Sequence, residues 1–159
     1  MRRSAELFGL AGLLALILQT WAALWGPDHL PDRVPTHFDA AGTPNAWGSP
    51  AGILLLPVVA IFVYVLITVV ARFPQSFNYP VRATPLNIER LRSVTLDMLA
   101  WIKAEIGWLF AVLQWAFVRA AETGDGSLFP RIMPVFLVVI FGTLGLYVTA
   151  IIRAGKQGS

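Results

Sequence analysis

The sequence predicts an all-α integral membrane four-helix bundle with both termini cytoplasmic and a proline-rich outer loop between helices 1 and 2. Three observations carry that expectation. Hydrophobic residues make up 57% of the chain and charged residues only 13%, where a soluble domain has about 45–50% and about 25%. The apolar residues are clustered into long runs, with a mean hydropathy of +0.68. Basic residues are spread unevenly between those runs. The whole of 1–159 reads as a single membrane domain.

Four stretches reach the roughly 17–25 residues needed to cross a hydrocarbon core of about 30 Å. They lie at about 7–25, 53–71, 96–118 and 132–152, the third inside an expected helix over about 85–119. Backbone groups in lipid need partners within their own segment, so each stretch is read as a helix. Helix 1 follows Arg2 and Arg3 and closes on Trp21, Trp25 and the breaker Gly26-Pro27. Tryptophan there suits an interfacial belt. The Arg-Arg start resembles a signal peptide, but the apolar run is long and Thr20–Ala22 is a poor cleavage site, so the helix is expected to remain.

Arginine and lysine set the orientation. Arg2, Arg3, Arg72, Arg82, Arg90, Arg92, Arg153 and Lys156 fall on one side, and Arg33, Arg119 and Arg131 on the other. Positive residues favour the cytoplasmic face. The segment after helix 1 therefore faces outward, and the expected location is the cell (plasma) membrane. A pI near 9.8 is explained by this topology, and nucleic acid is not expected as a partner.

The outer segment contains Pro27, Pro31, Pro35, Pro44 and Pro50. Such density precludes a long helix or a central strand. Gly42 and Asn45 supply turn chemistry. In helix 2, Pro57 is expected to kink the outer half. Thr84-Pro85 reads as an N-cap followed by proline at the first helical position, so helix 3 is expected to begin near Pro85. At 1.5 Å per residue it would run some 50 Å, past the bilayer core. Gly142, Gly145 and Thr149 give helix 4 a small face suited to close helix packing, which would permit a homodimer.

Ionisable residues inside a span are costly and default to a functional reading. Asp97 can reach water, and Lys103 can snorkel. Glu105 lies about 13 Å inside by helical rise. Lys103 and Glu105 point about 160° apart around the helix axis, so each needs another partner. Tyr64, Thr143 and Tyr147 lie at similar depth. A protonated Glu105 bonded to one of them is the expected arrangement, either as packing or as a proton relay.

His29, His37, Asp28, Asp32 and Asp39 could in principle form a metal site, but their spacing matches no strong metal motif. The simpler reading has His37 bonding the loop backbone, and no metal or cofactor is expected. The chain has no cysteine, which excludes thiolate chemistry. Hydrolase, metalloprotease and phosphate-loop motifs are absent, so no enzyme is expected and no catalytic residue is assigned.

The stretch "LPDRVPTHFDAAGTPNAWGSP" resembles the signature of the bacterial membrane domain-of-unknown-function family 1648. The signature maps onto Pro31, Pro35, His37, Phe38, Gly42, Trp47 and Gly48; Asp39 lies inside it. Where the family often has lysine after Trp-Gly, this chain has Ser49 and Pro50. The segments "FNYP" (Phe77–Pro80), "TPLN" and "WIKAEI" (Trp101–Ile106) are also similar to small members. No general activity attaches to that family. The same domain occurs in proteins of the SdpI immunity type, larger membrane proteins that protect a producer cell from a secreted toxin and signal through a partner regulator.

Together these features favour a receptor or immunity-like binding protein that uses the outer loop for an extracellular peptide or lipid. The alternatives are a proton-coupled small transporter using Glu105, and an accessory subunit. The expected partners are the lipid bilayer, that ligand, and a second copy or another membrane protein.

Overall fold

The computed structural model describes residues 2–27 and 29–156. Four helices account for most of it: α1 (Arg2–Trp25), α2 (Leu55–Val70), α3 (Ile88–Thr123) and α4 (Phe129–Lys156). Between α1 and α2 lie strands β1 (Val34–Phe38) and β2 (Pro44–Gly48), then a short 3-10 turn at Pro50–Leu54. Three segments are long and apolar enough to cross a membrane: Arg2–Trp25, Pro50–Val70 and Phe129–Lys156. The third helix is long enough but carries Asp97, Lys103 and Glu105 in its apolar half.

Helix α3 is the central post, and its main contact is with α1. The reason lies in small residues. Ala5, Gly9, Gly12 and Leu16 are buried on one stripe of α1, against Ala100, Ala104, Gly107 and Ala111 of α3. A Cβ on Gly9 would stand 3.1 Å from the Ala104 Cα, and one on Gly12 would stand 3.0 Å from the Trp108 nitrogen. Small residues thus let the two backbones approach closely. The small face expected on α4 has a different setting. A Cβ on Gly142 or Gly145 would meet nothing within 4 Å. Helix α4 buries only its far end, at Ile151, Ala154 and Gly155.

The core forms three patches along the post. Near the hairpin, Ala23, Leu30, Val34 and Ile53 pack with Phe117 and Val118. Midway, Leu16, Ala60 and Ala111 pack with Trp108 and Phe110. At the end carrying the termini, Leu91, Ile151 and Ala154 pack with Tyr79 and Val81. Outward faces are apolar on the remaining helices, including Leu7, Phe62, Val138 and Leu146. Such a continuous apolar surface suits hydrocarbon and not water.

Local chemistry explains the boundaries. Gly26 N donates to Ala22 O at 2.9 Å, closing α1 before Pro27. Pro57 occupies the first turn of α2, where its missing N–H loses no helical bond. Helix α3 starts three residues after Pro85. Thr84 O still accepts from Ile88 N at 3.0 Å, and the Asn87 side chain accepts from Thr84 N at 2.8 Å. The latter is half of a capping box. Asn87 Nδ2 also donates to Gly155 O at 3.3 Å, tying this turn to the end of α4. Gly124, at φ 72°, caps the far end of α3.

Candidate functional site

The segment between α1 and α2 is a β-hairpin, which a proline count alone does not suggest. A two-stranded ribbon has an open edge on each side, where proline is tolerated. Val34 pairs with Gly48, Pro35 with Trp47, His37 with Ala46 and Phe38 with Pro44, with irregularities on either side of His37. Asp39 builds the turn. Its Oδ1 accepts from Ala41 N at 2.9 Å and Thr43 N at 2.8 Å. Gly42 then takes φ 83°, a conformation nearly reserved for glycine. Asn45 lies in β2 and not in the turn.

His37 Nδ1 meets the side-chain oxygen of Asn45, so its partner is a side chain and not the loop backbone. Among the described residues, no three His, Asp or Glu groups converge as a metal would need. Asp28, which belonged to the candidate ligand set, lies outside the described residues. Ser49, standing where lysine is common in the resembling family, caps the 3-10 turn by accepting from Ala51 N at 3.3 Å.

The hairpin tip is clipped to the α3–α4 turn. Gly126 N donates to Gly42 O at 3.0 Å. The Phe38 and Phe129 rings lie 4.9 Å apart. A Cβ on either glycine would come within 2.6 Å of the opposing strand of backbone. Pro35 and Val34 are fully buried, whereas Trp47 is half exposed. In the clipped turn, Asp125 accepts from the Ser127 amide at 2.8 Å and from its hydroxyl at 3.1 Å. Those two bonds, with a smaller contribution from Arg131, hold the Asp125 carboxyl below its ordinary range.

Under the hairpin is a cavity of about 650 Å³. His37, Phe38 and Asp39 form its roof, and Leu56, Phe117 and Met133 are among its apolar walls. Residues of the stretch that resembles a family signature serve both hairpin and cavity. Pro35, Gly42 and Gly48 shape the hairpin, while His37, Phe38 and Asp39 face the cavity.

A second arrangement joins α1, α2 and α3 nearer the termini. Lys103 is only 4% exposed. Its Nζ lies 2.7 Å from Glu6 Oε2 and donates to Thr68 Oγ1 at 3.0 Å. The Tyr64 ring lies under the ammonium at 4.4 Å, and Tyr64 OH donates to Glu6 Oε2 at 3.3 Å. Lys103 is thus held by three partners instead of reaching for the surface. Glu105 points to α4, where Thr143 donates to its Oε1. Its Oε2 is buried without a partner. Tyr64 serves Glu6 and not Glu105. Sequence reasoning missed Glu6, although its place one turn before Gly9–Leu10 marked it as the one acid of α1. It also missed Gln114, fully buried, whose Nε2 donates to Thr20 Oγ1 at 2.8 Å.

Residues 14–61 match the family model described as Domain of unknown function (DUF1648). That segment holds the second half of α1, the whole hairpin and the start of α2. The Phe77–Pro80 and Trp101–Ile106 stretches lie outside it. An uncharacterized protein of Archaeoglobus fulgidus is 36% identical over 93 residues, covering 50% of this chain and 50% of that protein. The chain thus spans about half the length of the curated relative it matches. No solved structure matches it.

Proposed function

We propose that the protein is a multi-pass cell-membrane protein that works by binding, in the manner of a receptor or immunity protein, and not by catalysis. The ligand is an extracellular peptide or lipid with an apolar portion, seated under the outer hairpin. The observation that supports this reading is the cavity of about 650 Å³ roofed by His37, Phe38 and Asp39. Its size falls within the few hundred to about 1,000 Å³ usual for ligand sites, and it has the usual apolar walls with a few polar groups. The excess of arginine at the end carrying the termini supports an outward hairpin. Helix α3 contributes Leu113 and Phe117 to the cavity and continues to the opposite end, so it is the element through which occupancy acts inward.

Gly52 gives a clean test. It lines the cavity, and a Cβ added there would meet nothing within 4 Å. Gly52→Trp should fill the cavity without unfolding the chain. A photoactivatable fatty acid and a photoactivatable apolar peptide would be offered to the reconstituted protein. Crosslinks should gather on Leu56, Phe117 and Met133 and disappear in Gly52→Trp. An even spread over the exposed face of α4, unaffected by that substitution, would sink the idea.

A second reading rests on Glu105, whose Oε2 is buried without a partner. A proton-coupled small transporter or an accessory subunit of one would use such a group. It predicts pH-dependent flux in proteoliposomes that Glu105→Gln removes, and no flux in the unaltered protein argues against it.

A further inference from the structure

A second cavity, of about 240 Å³, opens at the opposite end from the hairpin. The start of α1, the end of α2 and the first half of α3 enclose it. Three cations line it, Arg2, Arg72 and Lys103, against the single carboxylate of Glu6. Glu6 is already engaged by Lys103 and Tyr64. Lys103 directs its donors to Glu6 and Thr68 and its charge over the Tyr64 ring. That pair neutralises itself. Arg2 and Arg72 are exposed and form no ion pair among the described residues. Two uncompensated guanidinium groups therefore stand over a cavity whose remaining walls include Ile67, Leu96 and Leu99.

We propose that this cavity binds a phosphate group, either that of an anionic phospholipid head or free inorganic phosphate. Guanidinium forks match phosphate oxygens bidentately. Basic pockets between membrane helices hold anionic headgroups where the surface potential concentrates them. Arg2 opens α1 and Arg72 lies in the turn that follows α2, so one anion between them would also tie α1 to the end of α2, which share little direct contact. Lys103, buried and paired with the partly exposed Glu6, forms part of the wall.

The test uses the full chain in micelles, with short-chain phosphatidylglycerol, short-chain phosphatidylcholine and inorganic phosphate as separate probes, read by native mass spectrometry. Phosphatidylglycerol should bind one to one. The double variant Arg2→Gln/Arg72→Gln should bind about tenfold more weakly, the order expected when charge-assisted bonds are lost, with an unchanged unfolding temperature. Competition by inorganic phosphate identifies the bare anion as sufficient; its failure to compete identifies the lipid head. Equal binding of phosphatidylcholine, or undiminished binding by the double variant, overturns the proposal. So does an equal loss in Arg33→Gln/Arg119→Gln, which lowers net charge by the same amount away from this cavity.

Discussion

Lys103 Nζ and Glu6 Oε2 lie 2.7 Å apart across the α1–α3 interface, with the lysine buried and the glutamate more than a third exposed. This asymmetry predicts unequal consequences of removing each partner. Glu6→Ala leaves the nearly buried ammonium with only the Thr68 hydroxyl and the Tyr64 ring as partners, a loss of about 3 kcal/mol. Lys103→Met leaves a carboxylate that the adjoining polar cavity can hydrate, so about 1 kcal/mol or less is expected. Unfolding in detergent should rank Glu6→Ala well below Lys103→Met, with the double variant closer to the latter. An equal loss in both single variants would contradict the burial difference.

Gly9 and Gly142 offer the same substitution in opposite settings. Gly9 faces the α3 backbone, whereas Gly142 faces open space. Replacing either by leucine raises helix propensity by up to about 1 kcal/mol. At Gly142 little opposes that gain. At Gly9 overpacking should outweigh it by about 1–3 kcal/mol. The comparison is read from paired thermal unfolding curves, and a stable Gly9→Leu would mean that α1 and α3 can separate cheaply.

Two glycines with positive φ separate backbone strain from close approach. Gly124 at φ 72° has open space around it, while Gly42 at φ 83° touches Gly126. Alanine at Gly124 should cost about 1–2 kcal/mol from the left-handed conformation alone. Alanine at Gly42 should cost more and also undock the hairpin. Hydrogen exchange at the Gly126 amide, which donates to Gly42 O at 3.0 Å, is expected to accelerate in Gly42→Ala and stay slow in Gly124→Ala.

Asp125 predicts a pH response of the turn between α3 and α4. Bonds from the Ser127 amide and hydroxyl hold its carboxyl below the ordinary 3.8. A depressed acid stabilises the fold fully above its unfolded value and loses that contribution as pH falls through the folded one. Carbon-detected titration should place Asp125 below 3.8, and Ser127→Ala should move it upward. The turn should loosen only below that value, with no change between pH 5 and 8.

Much of the architecture was legible because membranes impose a blunt pattern. Long apolar runs gave the helices, and Gly26-Pro27 gave the end of α1. Two features were illegible for a physical reason. Strand pairing of Val34–Phe38 with Pro44–Gly48 depends on partners six to fourteen residues apart, and the prolines masked it. The tight seam of α1 on α3 depends on which small stripe meets which. Ala5, Gly9, Gly12 and Leu16 do carry that spacing, yet Gly142 and Gly145 carry a similar one without packing inside the chain. For the candidate sites, comparable depth along the helices places Thr143 among the partners of Glu105, but depth does not point Lys103 to Glu6. Nothing local in a sequence says that a residue near the start will lie beside one near position 100.

The clip between Gly42 and Gly126 joins residues made far apart in time. The hairpin leaves the ribosome with the first half of the chain, while the surface it docks on is translated more than 80 residues later. At typical synthesis rates of about 5–20 residues per second, that gap lasts several seconds. Throughout it, the hairpin tip has no Phe129 to rest on, and the cavity beneath it lacks two of its walls. Any companion that captures the nascent chain has that interval in which to find the tip uncovered.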